Sequence, residues 1–154
     1  MNYRLKRWLR YIFFLVFTLI LCWQDYESSV KINEFVQKII NEIIIFFDIN
    51  VRSANYLIII RKIGHGVIFF VLAFLGHLAI SGDTEDGKTL VIWSSIMNIG
   101  FALLAELTQA YAAGRHPVYG DALINFIGSV TGILIAMLVE LLFHKSAKHL
   151  KNPP

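Results

Sequence analysis

A chain of 154 residues that is 56% hydrophobic and 16% charged, with a mean hydropathy of +0.61, is too apolar for a soluble domain of its size and reads as an integral membrane protein. Its formal charge of +3 comes from Lys and Arg in the tails and beside the segment ends, which speaks against a nucleic-acid face. Cys22 is the single cysteine, excluding an intrachain disulfide or a thiolate metal cluster.

The first stretch, MNYRLKRWLR, sets Arg4, Lys6, Arg7 and Arg10 directly before the apolar run YIFFLVFTLILCW. No small-residue cleavage site follows, so the pattern predicts an uncleaved signal anchor spanning about 8–24, with Trp8 and Trp23 at its two interfaces. Over about 31–47, Ile32, Phe35, Val36, Ile39, Ile40, Ile43 and Phe47 recur at helical spacing, while Lys31, Asn33, Glu34, Gln37, Lys38, Asn41 and Glu42 fall between them. That spacing predicts an amphipathic helix, either lying in the headgroup boundary or packed across the bundle mouth.

A second span, about 56–80, carries Arg61, Lys62 and His65 near its start, on one helical face by their spacing of three and four. The sequence SGDTEDGKT is a loop. In the third span, about 90–111, Ser95, Asn98, Ala102, Glu106 and Gln109 form a stripe that faces other helices rather than lipid. After the turn AAGRHPVYG, Asp121 stands where the N-cap of the fourth span, about 122–143, is wanted. On that span Asp121, Asn125, Gly128 and Gly132 share a face, and Gly128 with Gly132 makes a GxxxG pair suited to close helix approach.

These segments predict a single all-α domain over 1–154, a polytopic bundle of four transmembrane helices plus one amphipathic interfacial helix. The tails hold seven of the fourteen Lys and Arg residues and the SGDTEDGKT loop holds one, Lys88, so the positive-inside rule places both termini in the cytoplasm. The start of span two, the end of span three and the start of span four then meet at the outer face. Arg61, Lys62, His65, Glu106, Gln109, Arg115, His116, Asp121 and Asn125 would converge there, and ionisable groups near hydrocarbon mark a candidate site.

The pieces RKIGHGVIFFVLAFLG and AELTQAYAAGRHPVYGDALINFIGSVTG resemble the VanZ-like membrane proteins. The shared pattern is Lys62 and His65 opening one span, then Glu106 and Gln109, Arg115, Asp121, Asn125 and Gly128, over roughly Ile60 to Gly132. Two features depart from it: Ile68 and Phe69 stand where the family often has an acidic residue and an aromatic, and His116 to Gly120 replace a serine-rich turn. The resemblance implies a bacterial cell-envelope protein in the plasma membrane, associated with lowered susceptibility to the glycopeptide teicoplanin.

Each candidate has a plain structural reading beside the functional one. Arg61 and Lys62 can hold a lipid phosphate or simply snorkel, and Glu106 can be a general base or only neutralise a nearby cation. Asn125 needs hydrogen-bonding partners in either case. His116 and Tyr119 can merely meet headgroups. His77 is expected to face elsewhere and to be structural, and Glu140 to snorkel or pair with a tail lysine. The ligand spacing of known metal signatures is absent and no cofactor is implied.

Two functions are expected of the cluster. In the first it binds an anionic lipid or a polyprenyl-linked wall precursor, influencing glycopeptide susceptibility. In the second it is an enzyme on the same substrate class, with His65 or Glu106 as acid or base and Arg61, Lys62 and Arg115 on phosphate. A transporter fits less well, because the polar stripe thins toward Ser95.

Overall fold

A computed structural model describes residues 2–23, 26–46, 56–84, 86–109 and 119–151. Five helices follow in order: α1 (Tyr3–Cys22), α2 (Tyr26–Phe46), α3 (Tyr56–Ile80), α4 (Gly87–Gln109) and α5 (Tyr119–Lys151), with no strand among the described residues. Three stretches are long and apolar enough to cross a membrane: Arg61–Ile80, Gly87–Thr108 and Gly120–Leu142.

Among the described residues the fourth expected crossing, α1, is therefore not confirmed. α1 begins at Tyr3 and so incorporates Arg4, Lys6, Arg7 and Arg10, leaving an apolar run of only Tyr11 to Cys22. Those twelve residues reach about 18 Å at 1.5 Å each, well short of the roughly 30 Å of hydrocarbon. The cations have partners that explain their place. Arg7 Nη1 donates to the Leu78 carbonyl and to Ser81 Oγ, each at 2.9 Å, and Trp8 Nε1 donates to Asp83 at 2.7 Å. These bonds pin the start of α1 to the turn between α3 and α4, from which it runs back along α3 with Tyr11 seated at Gly76.

Lipid tails are as apolar as leucine, so burying leucine between membrane helices contributes little, and close packing through small residues does the work. Small residues take a large share of the interior: Ala73, Ala79, Ala102, Ala105, Ala136, Ser94 and Ser129 are all buried, beside larger side chains such as Phe69 and Leu72. Gly128 and Gly132 decide the tightest contact. A β-carbon on Gly128 would collide with the Gly66 carbonyl, and one on Gly132 with the Phe70 carbonyl, so α3 and α5 touch backbone to backbone. The GxxxG expectation thus finds its partner in α3. The two helices run parallel, Arg61 beside Asp121 at one end and His77 beside Glu140 at the other. α4 runs antiparallel to both, bringing Glu106 to Asn125 and Ser94 to His77.

Large apolar side chains cover the outside, among them Ile63, Val67, Ile96, Leu107, Phe126 and Leu134. α2 packs against α3 and leaves Ile32, Phe35 and Ile39 of its apolar face exposed.

Two local expectations need correction. The inward stripe of α4 is Ser94, Asn98, Ala102 and Glu106, all buried, whereas Ser95 is only half-buried, because the register steps by four from Asn98. Asp121 lies in the first turn of α5 rather than at its cap, since that helix starts at Tyr119. A guanidinium across the interface is a stronger partner for a buried carboxylate than a backbone amide, and Asp121 takes it.

Candidate functional site

At the end of the bundle where α3 and α5 begin and α4 finishes, α5 acts as the bridge. Asp121 Oδ2 lies 3.2 Å from Arg61 Nη2 of α3, and Asn125, one turn further, donates through Nδ2 to Glu106 Oε1 of α4 at 2.9 Å. Arg61 and Asp121, 60 residues apart in sequence, thereby meet. The burial is unequal: the Asp121 side chain is 6% exposed and that of Arg61 40%. The carboxylate is locked inside while the guanidinium reaches the surface.

Several polar atoms here have no hydrogen-bond partner: Arg61 Nε, Asp121 Oδ1, Asn125 Oδ1 and Ser129 Oγ, all buried. Asp121, Asn125 and Ser129 step by four, so the spare acceptors run along one side of α5 from the ion pair inward. Buried polar groups without partners are costly and mark places where water or a ligand is held. Lys62 and His65 are half-buried on the adjoining part of α3, with His65 one turn beyond Arg61. The Gln109 side chain, Arg115, His116 and the Tyr119 side chain lie outside the described residues. Among the described residues no three His, Cys, Asp or Glu side chains come together to hold a metal.

The opposite end holds a second buried polar group. His77 is fully buried, with Nδ1 3.0 Å from Ser94 Oγ and Nε2 3.4 Å from Glu140 Oε2. Asn98 Nδ2 donates to the Ser94 carbonyl at 2.8 Å, and its amide packs against Gly76, where any side chain would collide with it. Glu140, expected to snorkel or pair with a tail lysine, is partly exposed and lies against His77, the tail lysine side chains being outside the described residues, and His77 faces Ser94 of α4 and Glu140 of α5. Sequence reasoning missed this contact: the offset of the Arg61–Asp121 pair leads from His77 to Met137, about one turn short of Glu140, so only the fold brings the two together.

Apolar helices packed through small residues around two buried polar clusters define a helical membrane protein. The VanZ/LLP1 family profile matches residues 8–141, and the chain belongs to that family. The match takes in α1 and α2 as well as the Ile60–Gly132 region that carries the motif. No curated protein and no solved structure matches the chain.

Proposed function

We propose that this VanZ-family protein is a multi-pass protein of the bacterial plasma membrane that binds an anionic lipid or lipid-linked wall precursor at the Arg61 end. In this reading both termini are cytoplasmic, the Arg61 end faces outward, and α2 lies in the interface with its apolar face in lipid. The observation that carries it is the unequal Arg61–Asp121 pair. Asp121 holds the guanidinium from inside, and the exposed part of Arg61, with an unpartnered Nε beside it, suits a phosphate. Half-buried Lys62 on the same face adds a second cation, and Arg115 would add a third.

An enzyme acting on the same substrates by acid/base chemistry is the alternative. Against it, Glu106 is buried and its Oε1 is already taken by Asn125, which suits a held carboxylate more than a free base. Native mass spectrometry of the purified protein tests the binding reading: anionic lipid should co-purify and be lost in Arg61→Gln. Recovery of zwitterionic lipid alone would overturn it. Incubation with lipid-linked phosphates should return them unchanged, and a new product that disappears in Glu106→Gln would favour the enzyme. If the site governs teicoplanin susceptibility, folded Arg61→Gln and Asp121→Asn variants should shift it. Labelling of single cysteines at Asp83 and Arg115 from either side of intact cells tests the orientation, which fails if Asp83 is reached from outside.

A further inference from the structure

The pocket at the His77 end, about 890 Å³ between α1, the α3–α4 turn, α4 and α5, is lined by one permanent cation and one carboxylate, Arg7 and Glu140. Among the described residues no ion pair joins the two. Both stand at headgroup depth: Arg7 holds Leu78 and Ser81 where the span Arg61–Ile80 ends, and Glu140 lies just before the end of the span Gly120–Leu142. One turn further in, the lining becomes apolar with Leu90, Val91 and Met137.

The donors and acceptors can be assigned. Arg7 gives Nη1 to the Leu78 carbonyl and the Ser81 hydroxyl and Nη2 to Tyr3 at 3.2 Å, so of its five N–H groups Nε–H and one Nη2–H stay uncommitted among the described residues. The Thr84 hydroxyl accepts from the Asp86 amide at 3.3 Å and keeps its own proton. Across from these donors, Glu140 lacks them. Ser94 spends its hydroxyl proton on the Leu90 carbonyl at 2.6 Å and accepts from His77 Nδ1–H, and His77 Nε2 lies 3.4 Å from Glu140 Oε2 with no hydrogen bond between them. No donor among the described residues reaches Oε1 either. A carboxylate beside hydrocarbon needs a cation with N–H groups, while Arg7 and Thr84 need acceptors. An anion alone would leave Glu140 unsatisfied, and a cation alone would face Arg7.

We propose that this pocket binds the headgroup of a zwitterionic phospholipid carrying a primary ammonium, with the ammonium on Glu140, the phosphate on Arg7 and Thr84, and the acyl chains running past Leu90, Val91 and Met137. A quaternary ammonium has no N–H to give and is discriminated against at Glu140. The apolar wall at the inner end makes the occupant a lipid rather than a free amino phosphate. Nothing in this site depends on the Arg61 end.

The test is native mass spectrometry of the full chain in detergent with equal phosphatidylethanolamine and phosphatidylcholine added. Neither lipid has a net charge, so the anion preference proposed for the Arg61 end does not enter and either proposal can fail alone. The wild type should retain the ethanolamine lipid roughly tenfold over the choline lipid, the ratio expected for a charge-assisted contact, and Glu140→Gln should abolish the preference. With phosphatidylglycerol added instead, Glu140→Lys should carry one more lipid than the wild type, a gain that misfolding cannot produce. Equal retention of the two zwitterions by the wild type, a preference that survives Glu140→Gln, no added phosphatidylglycerol in Glu140→Lys, or displacement of the lipid by an equal concentration of phosphoethanolamine would each overturn the proposal.

Discussion

The two ends of the bundle solve the same problem in opposite ways. At the Arg61 end a permanent cation reaches outward and a carboxylate is buried behind it. At the His77 end the buried group is an imidazole fixed by Ser94, and the carboxylate, Glu140, is the partly exposed member at 30%. The helices are the same three in both places, and only the side chains brought to the α3–α5 contact differ. A buried carboxylate must keep its cation, whereas a buried imidazole can stay neutral and keep only hydrogen bonds. The first arrangement therefore depends on a pair, and the second on a network in which no single charge is essential.

The comparison rests on the close approach of α3 and α5, so the largest expected effect is its loss. Gly128→Leu forces the helices apart at the Gly66 carbonyl, and overpacking of this kind costs about 3 kcal/mol or more. Thermal unfolding in detergent should show a large drop in Tm; a Tm equal to that of the wild type would show that the close approach does not hold the bundle together. Next comes the asymmetry of the ion pair. Arg61→Ala strands the buried Asp121 and should cost about 2 kcal/mol, below the full penalty of breaking a buried pair because Arg61 is partly wet. Asp121→Asn leaves a guanidinium that can turn to water and should cost less than half of that. Equal costs in denaturant unfolding would contradict the unequal burial.

At the other end, Glu140→Gln should cost only about 0.5 kcal/mol, because the carboxylate is partly solvated and His77 retains Ser94. A loss as large as that of Arg61→Ala would erase the contrast between the ends. The smallest effect lies at the start of α4. Asp86 accepts from the Thr89 hydroxyl and from the Thr89 amide at 3.0 Å, and these bonds hold its carboxyl below the ordinary value of 3.8. Its stabilisation is complete above that value and disappears as the pH falls through the lower folded one. Asp86→Ala should melt slightly below wild type at neutral pH and level with it in strong acid; a gap that persists in acid would mean the cap does not act through charge.

At the Arg61 end the sequence marked the faces that carry Arg61, Glu106, Asp121 and Asn125, because these residues fall at segment ends with helical spacing. Which of them pair, Arg61 with Asp121 and Asn125 with Glu106, came only with the fold. The His77 end was not legible, because a lone histidine in an apolar helix carries no partner in its own spacing. Ser94 was hidden by its neighbour Ser95, and one residue of register changes which of the two faces inward.

Composition and periodicity by themselves determined that this is a membrane protein made of helices, which faces are polar, and that a GxxxG pair would pack closely, because these follow from one helix and its solvent. Only the tertiary structure decided that Asp121 pairs with Arg61 instead of capping α5, and that His77, Ser94 and Glu140 form a unit. Each of those depends on the offset between two helices, which is set where the Gly128 backbone meets the Gly66 carbonyl.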